Sequence, residues 1–110
     1  TDVNGVATFR TIYPGWYPGR TPHVHFKAFI DSRSVLTGQI FFPDTISDAI
    51  YKTKSPYAGR KLARDTSNTR DFIARSAGQA SLASVKEDSD GYLVSMIIGV
   101  RPSRSGGARR

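Results

Sequence analysis

Five residues that break regular structure, Pro14, Gly15, Pro18, Gly19 and Pro22, fall within the ten positions from Tyr13 to Pro22. Proline lacks the amide proton that helices and sheet ladders require, and glycine removes the side chain that limits backbone angles. No helix or central strand can therefore pass through Tyr13–Pro22, and the segment is expected as a long, shaped loop. The loop contains Trp16, Tyr17 and Arg20 but no acid. On either side the pattern changes. Asp2–Gly5 reads as a turn, and Val6 to Ile12 as a strand. After the loop, His23 to Ile30 and Val35 to Phe42 read as two more strands, the latter ended by Pro43.

The rest of the chain is read in the same way. Asp44 or Thr45 is placed to cap a short helix over Ile46–Tyr51, with Ile46, Ala49 and Ile50 on one face. Lys52–Ser76 is polar and turn-rich, with one helical turn near Arg70–Ala74. Ser81–Lys86 and Tyr92–Val100 read as a hairpin about the Glu87–Gly91 turn, and Tyr92, Val94, Met96 and Ile98 alternate onto a face expected to be buried. With 110 residues there is room for one compact domain. The fold class is all-β: an antiparallel β-sandwich with long loops and one short helix, over residues 1–100.

Composition removes several chemistries. There is no cysteine, hence no disulfide, thiolate metal site or cysteine nucleophile. No apolar run approaches the roughly 20 residues of a membrane span, and no signal-peptide pattern is present. The net charge is +7, concentrated toward the end in Arg101, Arg104, Arg109 and Arg110. Residues 101–110 read as a basic, flexible, solvating tail. The arginines lack the interleaved aromatics of a nucleic-acid stacking platform. A positive field would also attract an acidic aromatic substrate.

Both histidines of the chain stand together, in His23-Val24-His25. In a strand, side chains two apart leave the same face, about 6–7 Å apart, so two imidazoles can converge on one metal. Val24 would point the other way, into the core, and fix the register. Such pairs also serve as surface or hydrogen-bonded core residues, and the preceding loop shifts the balance. There the rigid prolines and permissive glycines can aim Tyr17 back at the strand. A phenolate at neutral pH needs a strong cation nearby, since free tyrosine titrates near 10. Phenolate oxygen with neutral imidazole suits ferric iron better than calcium or magnesium. Tyr17 can also be read as a packing aromatic beside Trp16, and Tyr13 offers a second phenol. A cupin-type site would want a carboxylate soon after His25, where Phe26–Ile30 has none. A zinc hydrolase would want an acid as base, which the loop lacks. The pattern points to Lewis-acid chemistry.

The run Thr8-Phe9-Arg10-Thr11-Ile12-Tyr13-Pro14-Gly15-Trp16-Tyr17-Pro18-Gly19-Arg20-Thr21-Pro22-His23-Val24-His25-Phe26 resembles the iron-binding segment of the intradiol ring-cleavage dioxygenases, a family that includes catechol 1,2-dioxygenase and protocatechuate 3,4-dioxygenase. The similarity continues through Leu36–Asp44 to the Gly91-Tyr92 strand. It implies a β-sandwich and a non-haem Fe(III) held by two tyrosinates and two histidines. By that resemblance Tyr17, His23 and His25 are metal ligands, Arg20 offsets charge on a carbanion-like intermediate, and Gln39 lies near the oxygen pocket. The implied reaction opens a catechol-type ring between its hydroxylated carbons with O2, giving a muconate-type diacid. The alternative is a non-catalytic β-sandwich module that kept the motif. The partners implied are the small aromatic molecule and O2, with a homo-oligomer allowed, no membrane, and either a cytoplasmic or a secreted location. The family's other tyrosinate would fall before Thr1, so the chain is expected to be the C-terminal part of such a domain.

Overall fold

The computed structural model describes residues 1–60, 63–89 and 91–100; the basic tail therefore lies outside the described residues. The elements in chain order are β1 (His23–Ile30), β2 (Arg33–Phe41), α1 (Asp44–Thr53), α2 (Phe72–Ala77), β3 (Ser84–Asp88) and β4 (Gly91–Ser95). Short 3-10 turns lie at Tyr57–Gly59, Asn68–Arg70 and Gln79–Ser81. Strands predominate, arranged as two antiparallel two-stranded sheets, β1–β2 and β3–β4. A parallel bridge between Phe41 and Leu82, with Ala83 N–H donating to Phe41 O at 2.8 Å, joins the end of β2 to the approach to β3. No helix among the described residues is long and apolar enough to cross a membrane.

The β1–β2 hairpin closes on Asp31 and Ser32, whose φ angles of 52° and 68° are both left-handed. Two consecutive positive φ values make the tight turn whose twist matches that of paired strands. The register sets His23 opposite Phe41, Val24 opposite Ile40 and His25 opposite Gln39. Gly38 faces Phe26, and a Cβ at Gly38 would come within 2.8 Å of the Phe26 ring. The glycine is there because the ring lies across it.

Helix α1 buries Ser47, Ile50 and Tyr51, with Ile46 half-buried. Tyr51 and Ile50 join Trp16 in the core, packed around by Tyr13, Ile46, Tyr57 and Tyr92. The loop therefore sends its Trp16 into the core. Tyr51 Oη donates to Pro14 O at 2.5 Å, Tyr57 Oη to Tyr13 O, and Arg60 Nη1 to Trp16 O at 2.7 Å. The Arg60 guanidinium also lies 4.1 Å from the centre of the Trp16 ring, a cation–π contact. Held at its backbone carbonyls and by one buried indole, the loop is a fixed platform.

Several expectations are corrected. Val6–Ile12 forms no strand: it has no ladder partner among the described residues, and Phe9 and Ile12 are largely exposed. A strand needs a neighbour, which composition cannot supply. Among the described residues there are two α-helices, because the turn expected near Arg70–Ala74 continues as α2. Ala49 is exposed, since the buried stripe of α1 runs through Ser47 and Tyr51 instead. Neither Asp44 nor Thr45 caps α1. Pro43 occupies that position without a side-chain bond, and the Asp44 carboxylate accepts from Asn68 N and Arg64. Val24 is 39% exposed rather than in the core. β4 ends at Ser95, and the alternation across Leu93–Ile98 survives only in direction: Val94 and Ile98 are 38% exposed, against 60% for Leu93 and 95% for Ile97.

Candidate metal centre

Tyr17 follows directly on the buried Trp16, so its ring is turned outward and stays 49% exposed. Tyr17-Pro18-Gly19-Arg20 forms a β-turn, with Arg20 N–H donating to Tyr17 O at 3.3 Å and Gly19 at φ 86°. Proline second and a left-handed glycine third is the type II sequence signature. Gly19 N–H donates to Asp65 Oδ1 at 3.1 Å, which fastens the turn to the segment before α2. The turn brings Tyr17 and Arg20 side by side at the start of β1.

His23 is half-buried there. Its Nδ1 lies 2.8 Å from Thr21 O, a carbonyl that can only accept, so Nδ1 carries the proton and Nε2 offers a lone pair. That Nε2 lies 3.3 Å from Tyr17 Oη and 3.4 Å from Arg20 Nη1. The ring centres of Tyr17 and His23 are 5.8 Å apart, and those of His23 and the more exposed His25 are 4.9 Å apart. Burial pushes the His23 imidazole below its ordinary value; the Thr21 carbonyl opposes this, while Arg20 and His25 reinforce it. A neutral ring is the form that binds a metal.

Arg20 ties the cluster to β2. Its Nη2 donates to Gln39 Oε1 at 2.6 Å and its Nε to Asp71 Oδ2 at 2.7 Å. Gln39 in turn pairs with His25 across the hairpin. The five side chains singled out from the sequence, Tyr17, Arg20, His23, His25 and Gln39, thus lie in one connected site. Tyr13 lies elsewhere. Its hydroxyl meets Ser47 Oγ at 2.8 Å, and burial raises it to about 12, which disfavours a phenolate.

Donor chemistry decides what could bind. Among the described residues no group of three or more His, Cys, Asp or Glu side chains gathers. The set is one phenol oxygen and two imidazole nitrogens, with an arginine rather than a carboxylate beside them. Two ligand atoms each about 2 Å from one ion lie about 3 Å apart at a right angle, close to the Tyr17–His23 separation. A hard, highly charged ion that lowers a phenol's pKa fits this set better than zinc or calcium.

The loop's lack of acids does not extend to its surroundings. Asp65 and Asp71 reach it from far along the chain. Asp71 Oδ2 accepts from both Arg20 Nε and Thr21 N, and its Oδ1 accepts from Ile73 N and Ala74 N at the start of α2. Both oxygens of Asp71 are occupied by donors, so it is not free as a base, while Asp65 Oδ1 takes Gly19 N and Thr66 Oγ1. Asp71 had one visible signal, its place just before a helical run, where aspartate commonly caps. Nothing in the spacing pointed to Arg20.

No protein-family model and no curated protein sequence matches the chain. Solved structures do. An intradiol ring-cleavage dioxygenase from Tetranychus urticae superposes with a TM-score of 0.81 at 34% identity, over 93% of this chain and 51% of its own. The crystal structure of the dioxygenase Tetur07g02040 gives 0.84 at 33% identity, over 96% of this chain and 52% of its own. The chain spans about half the length of the solved structures it matches.

Proposed function

Because the chain belongs to the intradiol ring-cleavage dioxygenases, we propose that Tyr17, His23 and His25 are ligands of a ferric ion at which a catechol is opened between its hydroxylated carbons with O2. The product would be a muconate-type diacid. The observation that carries this reading is the approach of the Tyr17 hydroxyl, at 3.3 Å, to the one nitrogen of His23 left without a backbone partner. Bound there, Fe(III) would supply the Lewis acidity that holds a catecholate and withdraws electron density from its ring. The chain's own residues supply the rest. Thr21 O fixes the tautomer and tilt of His23. Tyr17, on an exposed turn, can give way to an incoming aromatic. Arg20 places positive charge beside the site, where it offsets negative charge building on the ring, and such preorganised charge is worth a few kcal/mol away from water. Gln39 braces Arg20 through Oε1. The two hairpins would be parts of a β-sandwich over residues 1–100.

A second reading is a non-catalytic β-rich module. It is favoured by the three-donor set, in which one phenolate balances a single charge of a trivalent ion. The readings separate on addition of Fe(III) at neutral pH. A tyrosinate-to-iron band in the visible, lost in Tyr17→Phe, supports the first, with catechol consumption under air as its functional arm. A colourless iron-loaded protein supports the second. His23→Ala and His25→Ala are expected to lose bound iron, and undiminished iron in both and in Tyr17→Phe rejects the site altogether.

A further inference from the structure

Asp71 is only 2% exposed, yet it accepts four hydrogen bonds from two places in the chain, Arg20–Thr21 and Ile73–Ala74. Oδ1 takes Ile73 N at 2.9 Å and Ala74 N at 3.0 Å; Oδ2 takes Arg20 Nε at 2.7 Å and Thr21 N at 2.9 Å. One oxygen caps α2, and the other holds the two residues on which the candidate ligands depend. Thr21 presents the carbonyl that orients His23, and Arg20 reaches both His23 Nε2 and Gln39. The guanidinium is planar, so fixing Nε in line with Asp71 fixes where Nη1 and Nη2 can go. Each of its three nitrogens then has its own partner: Asp71, His23 and Gln39.

The geometry points to Asp71 as a positioning residue that aims the Arg20 guanidinium at the ligand face of β1–β2, so that α2 and the site are set by one carboxylate. The functional half of this rests on the iron reading above; the geometric half does not. A residue that merely capped α2 would need Oδ1 alone. It would not explain an ion pair between a buried carboxylate and a cation whose remaining nitrogens lie at His23 and Gln39.

The test is a double-mutant cycle of Asp71→Asn and Arg20→Gln, with two readouts. In metal-free protein, the Arg20 Nε–H resonance is followed for exchange with water. Protection is expected in the wild type and lost in Asp71→Asn, where an amide can keep the α2 cap but no longer offers a second anionic oxygen. In iron-loaded protein, kcat and KM are measured with catechol. Asp71→Asn is expected to lower kcat about 10- to 100-fold, the usual effect of removing a supporting partner at a metal site. In the Arg20→Gln background the same change should cost almost nothing further, since the two act as one unit. Full, independent losses would make Asp71 merely structural and overturn the inference. So would an Asp71→Asn protein that keeps Arg20 Nε–H protected, or one that loses protection but keeps wild-type kcat. Should Asp71→Asn fail to fold, Arg20→Lys decides: it keeps the charge and loses the fork, so an unchanged kcat overturns the clamp and a comparable loss supports it. A wild-type protein that stays colourless with Fe(III) defeats the iron reading alone, and the resonance still decides for or against the geometric clamp.

Discussion

Replacing Thr21 by valine tests whether the support beneath the site is a polar network or simple packing. Thr21 is fully buried, and its Oγ1 donates to Asn68 Oδ1 at 2.6 Å and accepts from Arg64 Nη2 at 3.1 Å. Valine has nearly the same shape, so no cavity forms and the cost lies in the partners. Arg64 Nη2 keeps Asp44, but Arg64 Nε is already buried without a partner among the described residues. Asn68 keeps Phe42 O through Nδ2 at 2.7 Å while its Oδ1 loses its donor. Stranding one buried acceptor costs about 1–3 kcal/mol, so Thr21→Val should lose about 2 kcal/mol. Thr21→Ser keeps the hydroxyl and loses one methyl group, about 1 kcal/mol. Urea unfolding at constant slope measures both midpoints. Valine matching wild type, or serine proving the worse of the two, would refute the network and leave Thr21 an ordinary core residue.

Two further predictions are quickly checked. At Asp71, burial alone would raise the carboxyl, but donors from Ala74, Arg20 and Thr21 outweigh it and hold the group below its ordinary 3.8. A depressed folded value contributes stability that is complete above 3.8 and is lost as the pH falls through the folded value. The gap in urea midpoint between wild type and Asp71→Asn should therefore be constant from pH 7 to 5 and narrow below about 4; an unchanged gap at pH 3 refutes it. At Gly38, an added methyl would meet the Phe26 ring, so Gly38→Ala should cost about 1–2 kcal/mol by overpacking, and Phe26→Leu in the same chain should recover part of it. A Gly38→Ala protein more stable than wild type would show that the ring turns aside freely.

What could be read from the sequence was whatever is written within a few residues. The His-x-His pair, the prolines and glycines that shape the loop, and the strands read at His23–Ile30 and Val35–Phe42 are all local instructions, and each recurs in the fold, the last as Arg33–Phe41. The misreadings share the opposite property. Val6–Ile12 has strand-like composition, but a ladder is made with a neighbour and none lies beside it among the described residues. Asp44 has the chemistry of a cap, yet Arg64 and Asn68 claim its carboxylate from 20 and 24 positions away. The loop has no acid of its own, yet Asp71 reaches it across 50 residues.

This division has a consequence for the site. The atoms proposed to touch a metal come from a short run, Tyr17 to His25, and so survive as a recognisable string. The atoms that aim them come from Asp65, Asn68 and Asp71, where no string marks them. A chain can therefore keep every residue of the motif and lose the geometry through one change in that distant segment. Asp71, which holds both Arg20 and Thr21, is the position at which such a change would reach the site most directly.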